Sequence, residues 1–390
     1  MKNRVDKIKV VHLITKLEMG GAQLNTVFTV GNIDKKKFDV FLISGAGGIL
    51  TEKVRKDSDG GYSFQIAESL VREINPLKDF KAFREIKKML KEISPDIVHT
   101  HSSKAGIIGR LASRFSVESA KRIHSVHGFP FSKNQFFLKR VIYILIEKIV
   151  SIITDHYIFV SEEDMKTAGR KHLLQKEEGN FSIIRSGFDI SRFLKTGSNV
   201  DRIREKYKIP ANVNVVGVIA PFKPQKGLFH LIEIAALVIK EIKNILFFIA
   251  GDGDQRDEIE KKIVEKGLEN HFRLPGFIGE IEKVIPLFDM GVSTALWEGL
   301  PQSLVQLRLS KKPVIASDIS GNREIVFNGK NGFLEDPFNY AKFAERIIEV
   351  LKDKKLRERL ALFGEDLSEW SGDTMVQRQE DLYSQLLNRG

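Results

Sequence analysis

The chain has 390 residues, no cysteine, 42% hydrophobic and 29% charged residues, and a formal net charge of +11 at pH 7. That length suits two domains better than one core, the composition is that of an ordinary globular protein, and the missing cysteines exclude disulfides, thiolate nucleophiles and cysteine-bound zinc. The basic excess is confined to the first half, where residues 1–195 carry 34 Lys and Arg against 22 Asp and Glu while the remainder sums to −1. An anionic membrane surface or a lipid pyrophosphate suits such an excess, as does a solvated basic face with no partner. No recognisable nucleic-acid-binding motif accompanies the charge, so nucleic acid is not expected.

In chain order, Ile8 to Ile14 reads as a buried strand. Lys9 and His12 interrupt its apolar run, so it fails as a secretory signal. No stretch approaches the roughly 18 uninterrupted apolar residues of a membrane span, and a cytoplasmic location is expected. The turn Glu18-Met19-Gly20-Gly21 and a helix from Ala22 to about Val30 follow. A glycine pair between strand and helix suits either a tight turn or a close approach to phosphate or sugar. Phe38 to Ser44 is a second strand, Phe80 to Ile93 a helix, and Pro95 to His101 a strand running into a loop. Strands alternating with helices predict parallel βαβ units. His99 and His101 share one strand face; two histidines suit a metal, but no third ligand is evident beside them. Ser102 to Gly106 opens the next helix. Ile123 to His127 is a strand with His127-Gly128-Phe129 at its carboxyl end, where an open α/β sheet places its ligand crevice. Phe136 to Val160 is the most apolar segment and reads as a buried core helix leading into the strand Tyr157 to Val160. Lys139 and Arg140 at its start keep a membrane-interface helix open as the other reading.

A linker is predicted around residues 187–212. From Val213 the pattern is strand, basic loop and amphipathic helix, with Lys223 and Lys226 as compact point charges suited to pyrophosphate. Ile245 to Ala250 is a strand ending in Gly251-Asp252-Gly253-Asp254. The two acids resemble a D-x-D metal site, but a glycine-rich loop closing a parallel strand is the favoured reading. Phe272 to Phe277 is a further strand, and Asn331-Gly332 marks a turn. The densest signal is Gly291 to Val326. A short strand ends at Ala295 and Leu296, and the turn Trp297-Glu298-Gly299-Leu300-Pro301 follows. A helix from Pro301 to about Ser310 leads to the strand Pro313 to Ala316. Proline suits the first helical position, and a helix N-terminus after a strand is an anion site. Glu298 would repel a phosphate, so it is read as accepting hydrogen bonds from sugar hydroxyls beside one.

S-x-x-x-E-G-L-P-Q-S-L-V-Q followed by K-P-V-I-A-S-D resembles the donor-binding signature of the retaining glycosyltransferase family 4. The resemblance implies an α/β, GT-B fold of two Rossmann-like domains facing a cleft, with a terminal helix crossing back to the first. Its boundaries would be 1–190 and 191–370, with 371–390 returning. Glu298 takes the place of the glutamate that contacts the donor sugar, and Gln306 that of the second glutamate, which binds the ribose. The alanine-methionine that usually follows is Leu307-Arg308, and a usual glycine is Lys311. Carried over in the same way, Gly20 and Gly21 form the glycine loop, and His127 lies by the donor sugar and reacting centre. Lys226 before Gly227 is the phosphate-binding lysine, while the arginine often found five residues earlier is Pro221. Phe277 falls in the segment bordering the nucleotide base, and Ile183 to Phe193 resembles the interdomain segment. The implied donor-binding set is therefore Gly20, Gly21, Lys223, Lys226, Phe277, Gly299, Leu300, Pro301 and Gln306, with His127 and Glu298 catalytic. His101, Ser103 and Lys104 fall on the acceptor side.

The function so implied is retaining transfer of a hexose from a nucleotide-sugar, with UDP expected, to a lipid-linked oligosaccharide or surface polysaccharide. No cofactor and no metal are expected. The basic first domain would contact the anionic inner leaflet. Two rivals are a non-hydrolysing nucleotide-sugar epimerase and a non-catalytic transferase-like subunit.

Overall fold

The structure is a computed structural model that describes residues 7–18, 20–58, 60–128, 137–174, 179–194, 199–364 and 366–388, with the backbone only for 137–140. The sequence expectations at Met19, Phe129 and Phe136, and those on the Lys139 and Arg140 side chains, lie outside the described residues. The chain divides into two compact units, residues 1–189 with 368–390, and residues 190–367.

In the first unit seven strands form one parallel sheet: β1 (Ile8–Ile14), β2 (Phe38–Gly45), β3 (Ser63–Ala67), β4 (Ile97–His101), β5 (Lys121–Val126), β6 (His156–Phe159) and β7 (Phe181–Ile183). Their order is β3-β2-β1-β4-β5-β6-β7. Both faces of such a sheet are covered, which is why β4 is buried at all five positions. The helix expected from Phe80 starts four residues earlier, at Pro76. Asn75 caps it by accepting from the Lys78 N–H, and Pro76 occupies a position where no N–H is needed. The helix Gly372–Asn388 belongs to this unit and buries Met375, Val376, Leu382, Tyr383 and Leu386 in its core. A Cβ on Gly372 would meet the Phe28 ring at 2.3 Å, so glycine is what lets this helix start against Gly21–Asn32.

In place of a wholly buried core helix, Phe137–Ser151 buries one side only. Glu147 and Val150 are buried, whereas Ile142, Leu145 and Ile149 are exposed. Its apolar residues occupy more than one face, and the sheet covers just one.

The second unit holds β8 (Asn214–Ile219), β9 (Ile245–Ala250), β10 (Phe272–Gly276), β11 (Met290–Ser293), β12 (Val314–Ser317) and β13 (Gly332–Glu335). Their parallel order is β10-β9-β8-β11-β12-β13. β9, Ile-Leu-Phe-Phe-Ile-Ala, is buried throughout. Part of the expected linker is structured within this unit as the helices Ser191–Leu194 and Val200–Lys206. In each sheet the strand order reverses once, between β1 and β4 and between β8 and β11. Crevices at the carboxyl ends of such strand pairs are where open α/β sheets bind ligands.

Candidate active site

In the first unit a pocket lies past the carboxyl ends of β4 and β5. It is lined by Ser102, Ser103, His124, His127, Tyr143 and Glu147, among others. Ser102, directly after β4, has φ 63° and ψ 150°, a region that only glycine adopts without strain. Its Oγ hydrogen-bonds the Thr15 hydroxyl at 2.7 Å and accepts from the Thr15 N–H, tying the end of β4 to that of β1. His127 stands just past β5, half-buried, and burial pushes its imidazole down to about 4. Of the three residues expected on the acceptor side, Ser103 lines the pocket, but His101 and Lys104 do not. His101 is fully buried behind, and Lys104 is drawn away to Asp79 and to the Glu73 carbonyl.

Behind the pocket lies a cluster of histidines. The parallel register of β1 and β4 sets His12 directly opposite His99. The expectation that His99 and His101 lack a third ligand is therefore corrected, because ring nitrogens of His12, His99 and His101 lie within 4.8 Å of one another. His12 Nδ1 is 3.0 Å from His101 Nε2, and His101 Nδ1 is 3.4 Å from His127 Nε2. Both nitrogens of His99 are engaged by hydroxyls, Tyr383 at 2.6 Å and Ser125 at 2.7 Å. Burial pushes His12 down to about 3 and holds His99, His101 and His124 well below the ordinary range, so all are neutral imidazoles at pH 7.

Glu147 counts in the sequence only as an interruption of an apolar run. It is buried against Arg110, 2.8 Å away, and accepts from the Tyr157 hydroxyl at 3.2 Å. Arg110 also donates to Thr154 and to the Gly106 carbonyl. A charged residue four from the end of an apolar helix, with an arginine on a neighbouring buried helix, is the signal that could have found this pair.

In the second unit the loops after β8 and β11 meet. Lys226 and Glu298 form an ion pair whose side chains are only 15% and 13% exposed. Gln225 donates to the Trp297 carbonyl at 2.9 Å, and the Leu296 N–H donates to the Gln225 carbonyl at 2.8 Å. Thr294 donates to the Lys226 and Gly227 carbonyls. Gly227 has φ 61°, and a Cβ there would come 2.2 Å from the Thr294 carbonyl oxygen. A Cβ on Gly321 would likewise come 2.6 Å from the Glu298 and Gly299 carbonyl oxygens. The backbone thus fixes both loops, which brings the phosphate-type lysine and the sugar-type glutamate into contact.

Lys223 and Phe277 are exposed, and Gln306 is half-buried on the helix Gln302–Leu309. Pro301 is the N-cap, one position before the first helical residue where it was expected. Gly20 precedes the helix Gly21–Asn32 in extended conformation, and a Cβ there would meet only the flexible end of Gln23. The fold does not itself require that glycine. Asp252 accepts from the Gly253 N–H and pairs with Arg256 at 3.3 Å, as a loop-closing residue would.

Two departures from the signature have packing reasons. Leu307 lies against Gly291, where a Cβ would come within 2.4 Å of it. Arg308 is fully buried and donates to the carbonyls of Lys312, Ala361 and Phe363. Lys311 adopts φ 55°, the left-handed conformation that glycine suits best.

Among known proteins, residues 22–156 match the family described as Glycosyl transferase 4-like, and residues 199–365 the family described as Glycosyl transferases group 1. The chain belongs to the group 1, glycosyltransferase 4-like enzymes. It is 28% identical over 359 residues to the UDP-Gal:alpha-D-GlcNAc-diphosphoundecaprenol alpha-1,3-galactosyltransferase of Escherichia coli, covering 91% of each chain. It is 24% identical over 403 residues to the capsular polysaccharide biosynthesis glycosyltransferase CapM of Staphylococcus aureus, covering 99% and 98%. In fold it is similar to Anabaena HepE in complex with UDP, at TM-score 0.81 and 20% identity over 97% of this chain and all of that one. WaaG, a glycosyltransferase involved in lipopolysaccharide biosynthesis, follows at TM-score 0.74, 16% identity and 95% and 99% coverage. The fold is that of the GT-B glycosyltransferases. Among the described residues no helix is long and apolar enough to cross a membrane.

Proposed function

We propose that this chain is a retaining hexosyltransferase that takes a UDP-sugar donor in its second unit and a lipid-linked saccharide acceptor in its first. The observation that carries the reading is the Lys226–Glu298 pair at the carboxyl ends of β8 and β11. A diphosphate arriving there takes over the Lys226 ammonium and frees Glu298 to accept from sugar hydroxyls. As the sugar bond breaks, Lys226 and the amide groups before Gln302 stabilise the leaving diphosphate, whose oxygen takes the acceptor proton on the same face. Gln306 holds the ribose, Phe277 and the Gly299-Leu300-Pro301 backbone border the nucleotide, and Lys223 approaches the phosphates. Glu298 acts on the transferred sugar, and His127 and Ser103 act from the pocket of the first unit, Ser103 toward the acceptor. In this reading transfer proceeds without a metal, with Asp252 turned to Gly253 and Arg256.

The lipid-linked acceptor draws support from the Escherichia coli relative's substrate and from the exposed stripe Ile142, Leu145 and Ile149 in a unit with excess positive charge. At spacings of three and four residues these side chains share one helix face, as in a helix lying on an anionic membrane. The epimerase and non-catalytic rivals lose ground, because the relatives are named as transferases.

The test is a panel of UDP-hexoses with undecaprenyl-diphosphate-linked sugars as acceptors, run with and without a chelator. Acceptor-dependent UDP release with the anomeric configuration kept is expected, unaffected by chelation and enhanced by anionic vesicles. An inverted product, or restoration of chelated activity by Mg²⁺ or Mn²⁺, would overturn the stereochemical or the metal-free part. No turnover with any donor would return the non-catalytic reading.

A further inference from the structure

Of three histidines hydrogen-bonded in series, His127 lines the pocket, while His12 and His101 behind it are not used by the reading above. Each is neutral, and a neutral imidazole carries one N–H and one bare nitrogen. His12 Nδ1 meets His101 Nε2 at 3.0 Å, and His101 Nδ1 meets His127 Nε2 at the longer 3.4 Å. Two such bonds in series admit only two proton arrangements. In one, the protons sit on Nδ1 of all three rings and each bond points toward His127. In the other they sit on Nε2 of all three and each bond points toward His12.

His12 Nε2 decides between them. It is fully buried and has no hydrogen-bond partner. The second arrangement would bury an orphaned N–H there, while the first leaves only a bare lone pair. Orphaned buried donors are the rarer defect in folded proteins. The network beside it does not compete, because both His99 nitrogens are already taken by Tyr383 and Ser125, and His124 Nδ1 by Thr100.

We propose that His12 and His101 are positioning residues that hold His127 with its proton on Nδ1, so that this imidazole offers a hydrogen-bond donor rather than a base to an oxygen bound in the pocket. The oxygen belongs to a saccharide hydroxyl or to one gathering negative charge during transfer. This assignment rests on the reading of the pocket as part of the transferase site. A second partner commonly selects the tautomer of a functional histidine.

The experiment is nitrogen NMR of the full chain labelled in its nine histidines, with His127 identified by the signal lost in His127→Asn. The wild type should show His127 protonated on Nδ1. His12→Phe, which removes the first donor, should turn it into a mixture of tautomers. His12→Asn, whose amide nitrogen replaces Nδ1–H, should keep the wild-type form. Turnover should fall roughly tenfold in His12→Phe with donor KM little changed, the scale at which partners of functional imidazoles act, and recover in His12→Asn.

A wild-type His127 protonated on Nε2, or a folded His12→Phe with an unchanged tautomer, overturns the proposal. So does equimolar Zn²⁺ shifting the His12, His99 and His101 signals together, which would make the cluster a metal site. If His12→Phe fails to fold, the wild-type and His12→Asn spectra decide alone. The tautomer is read without substrate, so a protein that transfers no sugar defeats the proposed function and leaves this result standing.

Discussion

The carboxyl ends of β1 and β4 and those of β8 and β11 occupy equivalent places in two sheets of similar winding, yet their chemistry is opposite. The first is dominated by neutral groups, imidazoles stripped of charge by burial and the hydroxyls of Thr15 and the strained Ser102, with the paired Glu147 at its edge. The second is built around the Lys226–Glu298 ion pair, held by loops whose glycines allow backbone to touch backbone. One topology therefore supplies both a neutral hydrogen-bonding surface and a charged one. The charged end suits a diphosphate, and the neutral end suits hydroxyls.

The sharpest way to break that contrast is to delete one residue from each end. Glu298→Ala and His127→Ala are expected to lower turnover tenfold or more, at least about 1.4 kcal/mol of transition-state stabilisation, while UDP affinity changes less. Steady-state kinetics beside UDP titration would show it. Wild-type turnover in both variants would remove these residues from the site.

Acid should separate the two units next. In the first unit His12, His99, His101, His124 and His127 have folded values below the unfolded value of 6.5, with His12 at about 3 and His127 at about 4. The unfolded chain thus binds more protons below pH 6.5. Their stabilisation is complete above 6.5 and is lost as pH falls toward 4 and then 3. The two tryptophans fall one in each unit, Trp370 in the first and Trp297 in the second. Urea midpoints followed by Trp370 in Trp297→Phe should drop between pH 6.5 and 5 more than those followed by Trp297 in Trp370→Phe. Equal drops would mean the buried imidazoles do not govern the first unit's stability.

Within the charged end, Gln306→Ala is expected to raise donor KM several-fold with turnover little changed, the pattern of lost uniform binding. Gln306→Glu should stay active, since a carboxylate can accept from both ribose hydroxyls. An alanine variant with unchanged KM, or an inactive glutamate variant, would show that residue 306 does not hold the ribose.

The smallest effect expected is at Lys311. Its φ of 55° costs a side-chain-bearing residue on the order of 1 kcal/mol. Lys311→Gly should therefore raise the second unit's stability by about 0.5–1 kcal/mol, read as a higher urea midpoint. An unchanged or lower midpoint would show that the lysine side chain offsets the strain.

The fold was legible wherever one local rule dominated. The strand Ile8–Ile14 agrees end to end with its apolar run, and Ile245–Ala250 likewise. The start of Pro76–Ile93 was readable too, through the Asn-Pro pair, but periodicity alone began it at Phe80. What the sequence could not display is anything created by strand pairing across long separations. His12 and His99 are 87 residues apart and become neighbours only because β4 crosses over to lie beside β1. A polar residue inside an otherwise apolar strand was the available hint. Lys226 and Glu298 were each recognisable from their own loops, yet their contact depends on the β8–β11 pairing. Helix Phe137–Ser151 misled for the converse reason: composition reports how apolar a helix is, but not how many of its faces the sheet covers.

The helix Gly372–Asn388 sets an order of events during synthesis. The second unit is contiguous in sequence, so it holds all its own parts once residue 367 has emerged from the ribosome. The first unit does not, because Met375, Val376, Leu382, Tyr383 and Leu386 are among its buried core residues. At about 5–20 residues per second, its sheet waits roughly 10–40 s after residue 189 before that helix arrives. Until then His99 lacks its Tyr383 partner, and the unit made first is the one completed last.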